Sequence, residues 1–324
     1  FQAQIAVVNS RMNFDSHAVS VFLSKRTLLL ALATGKIQST VQLYASSKIQ
    51  SKGRCSMRLS MFLMLATSLF VSLVALSAQP KHRIQTDNGD IIITPIIHSS
   101  VQVEHAGTVI HVDPWSVGDL SQAKAADLIL VTDDPGHHLD PVAIERLRKP
   151  NTSIVLTASA YERFSDGHVL ENGESRIFSG VPVEAVPAYD MTPGAPLHPK
   201  GEANGYIVTL AGKRIFFSGV GECVPEIQAL RDITVAFMPM NLPVDRMRPT
   251  PVAECVKTFM PKVVYLNHYD QPHARWLSNQ QEPFPHGVQD TATTINNFID
   301  ALQGDSIEFR SGDWYPPPPP MATR

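Results

Sequence analysis

The 324 residues suffice for one large domain or two small ones. Lys and Arg total 27 against 30 Asp and Glu, a near balance that argues against nucleic acid or an anionic membrane surface as partner. The three cysteines, Cys55, Cys223 and Cys255, lack C-x-x-C spacing, which excludes a cysteine zinc knuckle and a disulfide framework. A single Cys223–Cys255 bridge stays open, with two buried thiols as the expected state.

Residues 1–56 are rich in Ser, Lys and Gln without sustained periodicity and read as a non-structural extension upstream of the true start. The stretch MRLSMFLMLATSLFVSLVALSAQP (57–80) has Arg58 directly after a methionine, an apolar run from Met61 to Leu76, and an A-x-A-like Ala-Leu-Ser-Ala at 75–78. That is the layout of a secretory signal peptide spanning 57–78 and cut after Ala78; the run is short for a membrane span, so a periplasmic or secreted product with no membrane attachment is expected. The folded body is expected over 79–314, followed at 315–324 by a proline-rich tail that favours polyproline II.

Within the body, DIIITPII (90–97), SVQVEH (100–105) and GTVIHV (107–112) read as a strand meander. Strand 127–131, helix 140–148, strand 153–157 and helix 158–164 follow. Strands at 176–180, 183–187, 205–210 and 213–219 come next, and then helices at 224–231, 250–260 and 290–303 alternate with strands at 233–240, 262–269 and 307–311. A meander followed by alternation, twice over, predicts two sheets packed face to face with helices outside, a four-layer αββα sandwich of the α/β class.

Unusual polar residues stand just after strands: His98, Asp113, the VTDDPGHHLD turn (131–140), Glu222 and His268, with His198 in a long inter-strand loop. Two adjacent histidines exceed what a turn needs, and imidazole is the commonest protein ligand for transition metals. Strand ends contributed from many points along a chain are where α/β enzymes build sites.

With these segments in order, the chain resembles the metallo-β-lactamase superfamily, in its ascorbate-6-phosphate lactonase-like branch. The resemblance rests on IIHSSVQVEHAGTVIHVDPW (96–115), DLILVTDDPGHHLDP (127–141), VEAVPAYDMTPGAPLHPKGEANGYIVTLAGKRIFFSG (183–219), VAFMPMNLP (235–243) and PKVVYLNHY (261–269). It implies the αββα fold and a metal-dependent hydrolase of a small molecule. Set against the T-H-x-H-x-D-H-x-D metal motif, Asp133 and Pro135 replace the leading histidines, His137 replaces the aspartate, and His138 and Asp140 agree. Val220 stands where a bridging aspartate belongs.

What the resemblance leaves is a reduced metal set drawn from His137, His138, His198 and His268, with Asp133 or Asp134 as proton acceptor or extra ligand. Three imidazoles suit one zinc with an open position for water, and manganese or iron would serve too. One ion is expected rather than two, with metal-activated water attacking an ester, lactone or phosphoester. The alternative is a metal-free protein of the same fold acting as a periplasmic ligand-binding or scaffold module.

Of the remaining residues, His98 is expected to be structural, Asp113 to brace the site, Asp140 to cap a helix and orient a histidine, and Glu222 to pair with Lys200 or accept a bracing bond. His105, His111, His168, His273 and His286 read as ordinary residues on strands or polar loops. The stretch 269–287 is either a cleft wall or a surface loop.

Overall fold

The computed structural model describes residues 82–194, 196–281, 284 and 291–316. The upstream extension, the signal peptide and His286 lie outside them. One seven-stranded sheet holds β1 (Arg83–Ile84), β2 (Ile91–Ile97), β3 (Ser100–His105), β4 (Thr108–Val112), β5 (Ala126–Leu130), β6 (Arg148–Leu156) and β7 (His168–Val169) in sequence order. A second holds β8 (Ser175–Phe178), β9 (Val181–Ala188), β10 (Ala203–Leu210), β11 (Lys213–Phe217), β12 (Ile233–Pro239), β13 (Val263–Asn267) and β14 (Glu308–Arg310), also in order. Each sheet begins with antiparallel pairs and turns parallel, at β4–β5 in the first and at β11–β12 in the second.

Strand alternation explains the layers. In β5, Leu128 and Leu130 point into the core shared with the second sheet. Ile129 and Val131 face outward and pack on α1 (Pro141–Leu147) and α2 (Ala158–Arg163) through Ala143, Ile144, Leu147 and Ala160. A strand buried on both faces needs a continuous apolar run, and DLILV is one. On the second sheet, Phe217, Phe237 and Tyr265 stack at 4.8 and 4.9 Å and lock β11, β12 and β13 side by side. Burying each such side chain contributes roughly 1.5–3 kcal/mol. The remaining helices are α3 (Pro225–Gln228), α4 (Pro249–Phe259), α5 (Gln271–Ser278) and α6 (Thr291–Ala301); α3, α4 and α6 pack on the second sheet's core, and α5 packs through Ala274 and Leu277 on Ile97 and Trp115. Among the described residues no helix is long and apolar enough to cross a membrane.

Helix boundaries depart from the sequence expectation where local chemistry intervenes. Helix α1 starts at Pro141 behind the Asp140 cap, whose carboxylate accepts from the Val142 and Ala143 amides at 2.9 and 3.3 Å. It ends at Leu147, and β6 begins at once with Arg148, because Pro150 disfavours helix in the residue before it. The helix expected at 224–231 shrinks to the single turn of α3. Within the stretch 269–287, read as cleft wall or surface loop, Gln271–Ser278 folds as α5 and lines the cleft, capped by Asp270, whose Oδ1 accepts from the His273 amide at 3.1 Å.

The cysteine expectation is corrected. Cys223 and Cys255 form a disulfide, with Cα atoms 5.6 Å apart. It ties the segment before α3 to the buried face of α4, where two free thiols were expected.

Candidate metal centre

The polar residues converge at one end of both sheets. His98 follows β2, His137 and His138 lie in the turn after β5, His268 follows β13, and His198 lies in the β9–β10 loop. All five line one cleft of about 220 Å³, together with Asp133, Pro135 and Val220. Its remaining wall includes Trp115, Leu197, Leu242 and Pro243, and α5 adds Gln271, Ala274, Arg275 and Ser278.

Backbone ties hold the site residues across the two sheets. The His98 amide donates to Trp314 O at 3.2 Å, and His98 O accepts from the His268 amide at 3.0 Å. His98, Asp113 and His268 sit at φ 55, 44 and 52°, the left-handed region that costs most residues energy. Backbone strain of this kind clusters where a side chain must be aimed. In the neighbouring SGVG turn, Gly219 has φ 65°, and a Cβ there would stand 2.7 Å from Asn204 O, so only glycine lets the turn approach β10.

One ring nitrogen each of His98, His137 and His268 lies within 4.8 Å of the others. His98 and His268 pack ring to ring with centroids 3.9 Å apart, and His138 stacks on His268 at 5.2 Å. His138 Nδ1 is 2.7 Å from Asp113 Oδ2, and Asp113 also accepts from the Thr132 amide at 2.8 Å and hydroxyl at 2.7 Å. That grip leaves His138 Nε2 buried without a hydrogen-bond partner among the described residues, and His268 Nε2 is in the same state. A buried polar atom left unpaired is costly, and a metal ion would satisfy both.

Electrostatics agree with a ligand role. Burial first, then the charges of His137 and His138, hold His98 well below the ordinary imidazole range. Burial and the other three histidines do the same to His268. His137 is pushed down to about 3, by burial and then by His138. All three are therefore neutral at pH 7, the form that donates a lone pair to a metal. At His138 burial works against the charged form, but the Asp113 carboxylate outweighs it and raises the pKa. The residues present thus fit a divalent ion.

Two carboxylates were singled out from the sequence, and they part company. Asp133 is buried in the cleft, its Oδ1 accepting from the Asp134 amide at 2.9 Å and its Oδ2 standing 3.3 Å from His198 Nε2. Asp134 is not among the residues that line the cleft and pairs with Arg163 at 3.3 Å. Asp140 caps α1 as expected, but its other oxygen accepts from the Ser116 amide at 2.7 Å instead of orienting a histidine. Glu222 accepts from the Thr192 amide at 3.1 Å, while Lys200 pairs with Glu226 at 2.6 Å.

Some partners carried no sequence signal. The Tyr315 hydroxyl is 2.5 Å from His98 Nδ1, and Gln271 Nε2 is 2.5 Å from His268 Nδ1. His98, expected to be structural, stands inside the ligand-forming group. His273 lies buried on α5 rather than in a polar loop.

The beta-lactamase superfamily domain matches residues 90–268, more than half of the chain. The chain belongs to the metallo-β-lactamase superfamily. A Parabacteroides distasonis protein named as a metal-dependent hydrolase is 34% identical, with 71% of this chain and 96% of that one covered at a TM-score of 0.61. Igni18, a metallo hydrolase of Ignicoccus hospitalis, shares the fold at 20% identity and a TM-score of 0.51, covering 68% of this chain and 94% of its own. CmlA, a diiron β-hydroxylase of Streptomyces venezuelae, shares it at 12% identity and 0.51, covering 72% and 53%. The Parabacteroides likeness and the histidine cluster together point to a metal cofactor in this superfamily member.

Proposed function

We propose that this metallo-β-lactamase superfamily member is an exported hydrolase that uses one divalent ion, zinc with manganese or iron as substitutes, to cleave an ester, lactone or phosphoester, as in the lactonase-like branch. The observation that carries it is the convergence of His98, His137 and His268, with the unpaired His138 Nε2 beside them. Those four would hold the ion. When bound, the ion supplies a Lewis acid that makes water nucleophilic near neutral pH.

The chain's own residues do the rest. Asp133 keeps its carboxylate ionised in the cleft: burial opposes this, but the His198 hydrogen bond and the nearby imidazole charges prevail. It is placed to accept a proton from attacking water. The Trp115, Leu197, Leu242 and Pro243 wall limits competing solvent. The Cys223–Cys255 disulfide supports export, since such bridges persist in oxidising compartments.

Zinc titration of metal-free protein, followed by a panel of lactones, esters and phosphoesters, tests the reading. His138→Ala and His268→Ala should each lose zinc binding and turnover, and His105→Ala neither. A protein that takes up no zinc and gains no melting temperature from it would instead act as a metal-free ligand-binding module.

A further inference from the structure

Two loops carry an apolar side of the cleft. Leu197 comes from the β9–β10 loop, and Leu242 and Pro243 come from the segment between β12 and α4. One buried ion pair ties the loops together, between Asp190 of the first and Arg246 of the second. Each partner also fixes one of the apolar cleft residues by its backbone. Asp190 Oδ2 accepts from the Leu197 amide at 2.7 Å, and Arg246 Nε donates to Pro243 O at 2.9 Å.

The second loop is strained as well as anchored. Asn241, Val244, Asp245 and Met247 have φ of 54, 62, 60 and 50°, a region least favourable for a β-branched residue such as Val244. Strain of this kind persists where surrounding contacts over-determine the backbone, and it gathers at ligand clamps. Leu197 is nevertheless 52% exposed, although its backbone is held. An apolar side chain on fixed backbone gains free energy when an apolar partner covers it, with little freedom left to lose. Val220, buried and apolar, lines the same cleft.

We infer that Leu197, Leu242 and Pro243 form a preformed apolar subsite that takes a short alkyl or aryl group carried beside the bond to be cleaved. The cleft of about 220 Å³ is smaller than the roughly 300–1,000 Å³ of sites for drug-sized ligands, which keeps that group short. The inference rests on the proposed hydrolase reading only for the bond that is cleaved. The subsite itself stands on the two anchored loops.

Straight-chain carboxylates from acetate to octanoate, titrated calorimetrically into the metal-free and the zinc-loaded protein, test it. Wild type should bind them about fivefold tighter for each two methylenes added, until the chain fills the cleft; complete burial would give roughly fifteenfold. Leu197→Ala should reduce that step to about twofold, Leu197→Asp should abolish it, and Leu197→Met should keep it. The Leu197 side chain is half exposed and its amide bond to Asp190 survives each change, so the variants keep the fold.

Affinity that does not change with chain length, or a step that survives Leu197→Asp, overturns the subsite. So does the failure of every acid to bind. If the protein takes up no zinc, the hydrolase reading falls, and the step measured on metal-free protein still decides the subsite.

Discussion

The hydroxyl of Tyr315 lies 2.5 Å from His98 Nδ1, joining residues 217 positions apart. The same hydroxyl accepts from the Asp270 amide at 3.2 Å. A ring whose Nδ1 is held in this way presents Nε2 in a fixed direction, the usual arrangement for a metal-binding imidazole. Tyr315→Phe keeps the packing and removes the oxygen. Zinc affinity should fall roughly tenfold, while metal-free stability drops by only about 1 kcal/mol. Competition with a chelator of known affinity reads the first, and urea unfolding the second. Unchanged zinc affinity would remove His98 from the ligand set.

Buried histidines also set the response to acid. Burial holds His111 below its ordinary value of 6.5, against the opposing Lys124 carbonyl and Glu104 charge. Below pH 6.5 the unfolded chain takes up a proton that the folded chain refuses. Stability is therefore lost as pH falls beneath that value, by up to about 1.4 kcal/mol per pH unit for each such group. In metal-free protein His98, His137 and His268 act in the same direction, and His138, raised by Asp113, acts in the opposite one. His111→Gln keeps a donor for the Lys124 carbonyl. Urea midpoints at pH 7, 6 and 5 should decline less steeply for it than for wild type, and parallel declines would contradict the argument.

The disulfide closes a loop of sequence separation 32. Constraining the unfolded chain to that extent stabilises the fold by about 2–4 kcal/mol. Replacing both Cys223 and Cys255 with serine should lower stability by that amount in urea, and a reductant should do the same to wild type. A double variant as stable as wild type would mean that the bridge adds nothing.

Arg275, exposed on α5, is the one Lys or Arg lining the cleft among the described residues, and no carboxylate there pairs with it. An unpaired guanidinium at the cleft edge suits a substrate bearing a carboxylate or phosphate. Arg275→Ala should lower kcat/KM for anionic substrates about tenfold, leave neutral analogues near wild type, and leave zinc affinity alone. Equal losses on both kinds of substrate would assign Arg275 a different role.

The layers were legible in the sequence because the strands are continuous apolar runs and their order is local. The VTDDPGHHLD turn was legible because strand, proline, glycine and capping acid bracket it within ten residues. Other parts of the site were not. His268 was named from its place after a strand, but His98 was read as structural, and the left-handed backbone that aims both is announced by no side chain in IIHSS or LNHYD. Tyr315 and Arg246 meet their partners 217 and 56 positions away, and such pairings exist only once the sheets have packed. Asp134 looked equivalent to Asp133 because adjacent residues of a turn share their composition while pointing apart.

Strand order in both sheets follows the chain without exchange, so residues up to β7 complete one sheet and those from β8 onward complete the other. The ligand-forming histidines divide along the same line, with His98 and His137 in the first half and His268 in the second. With His138 also in the first half, that half holds three of the four proposed donors, and the pocket is a seam that only both halves complete. Cutting the loop between β7 and β8 would leave two fragments, each with its own complete sheet. Only their reassociation would rebuild the centre, and an ion that bridges the seam would act as the clasp between them.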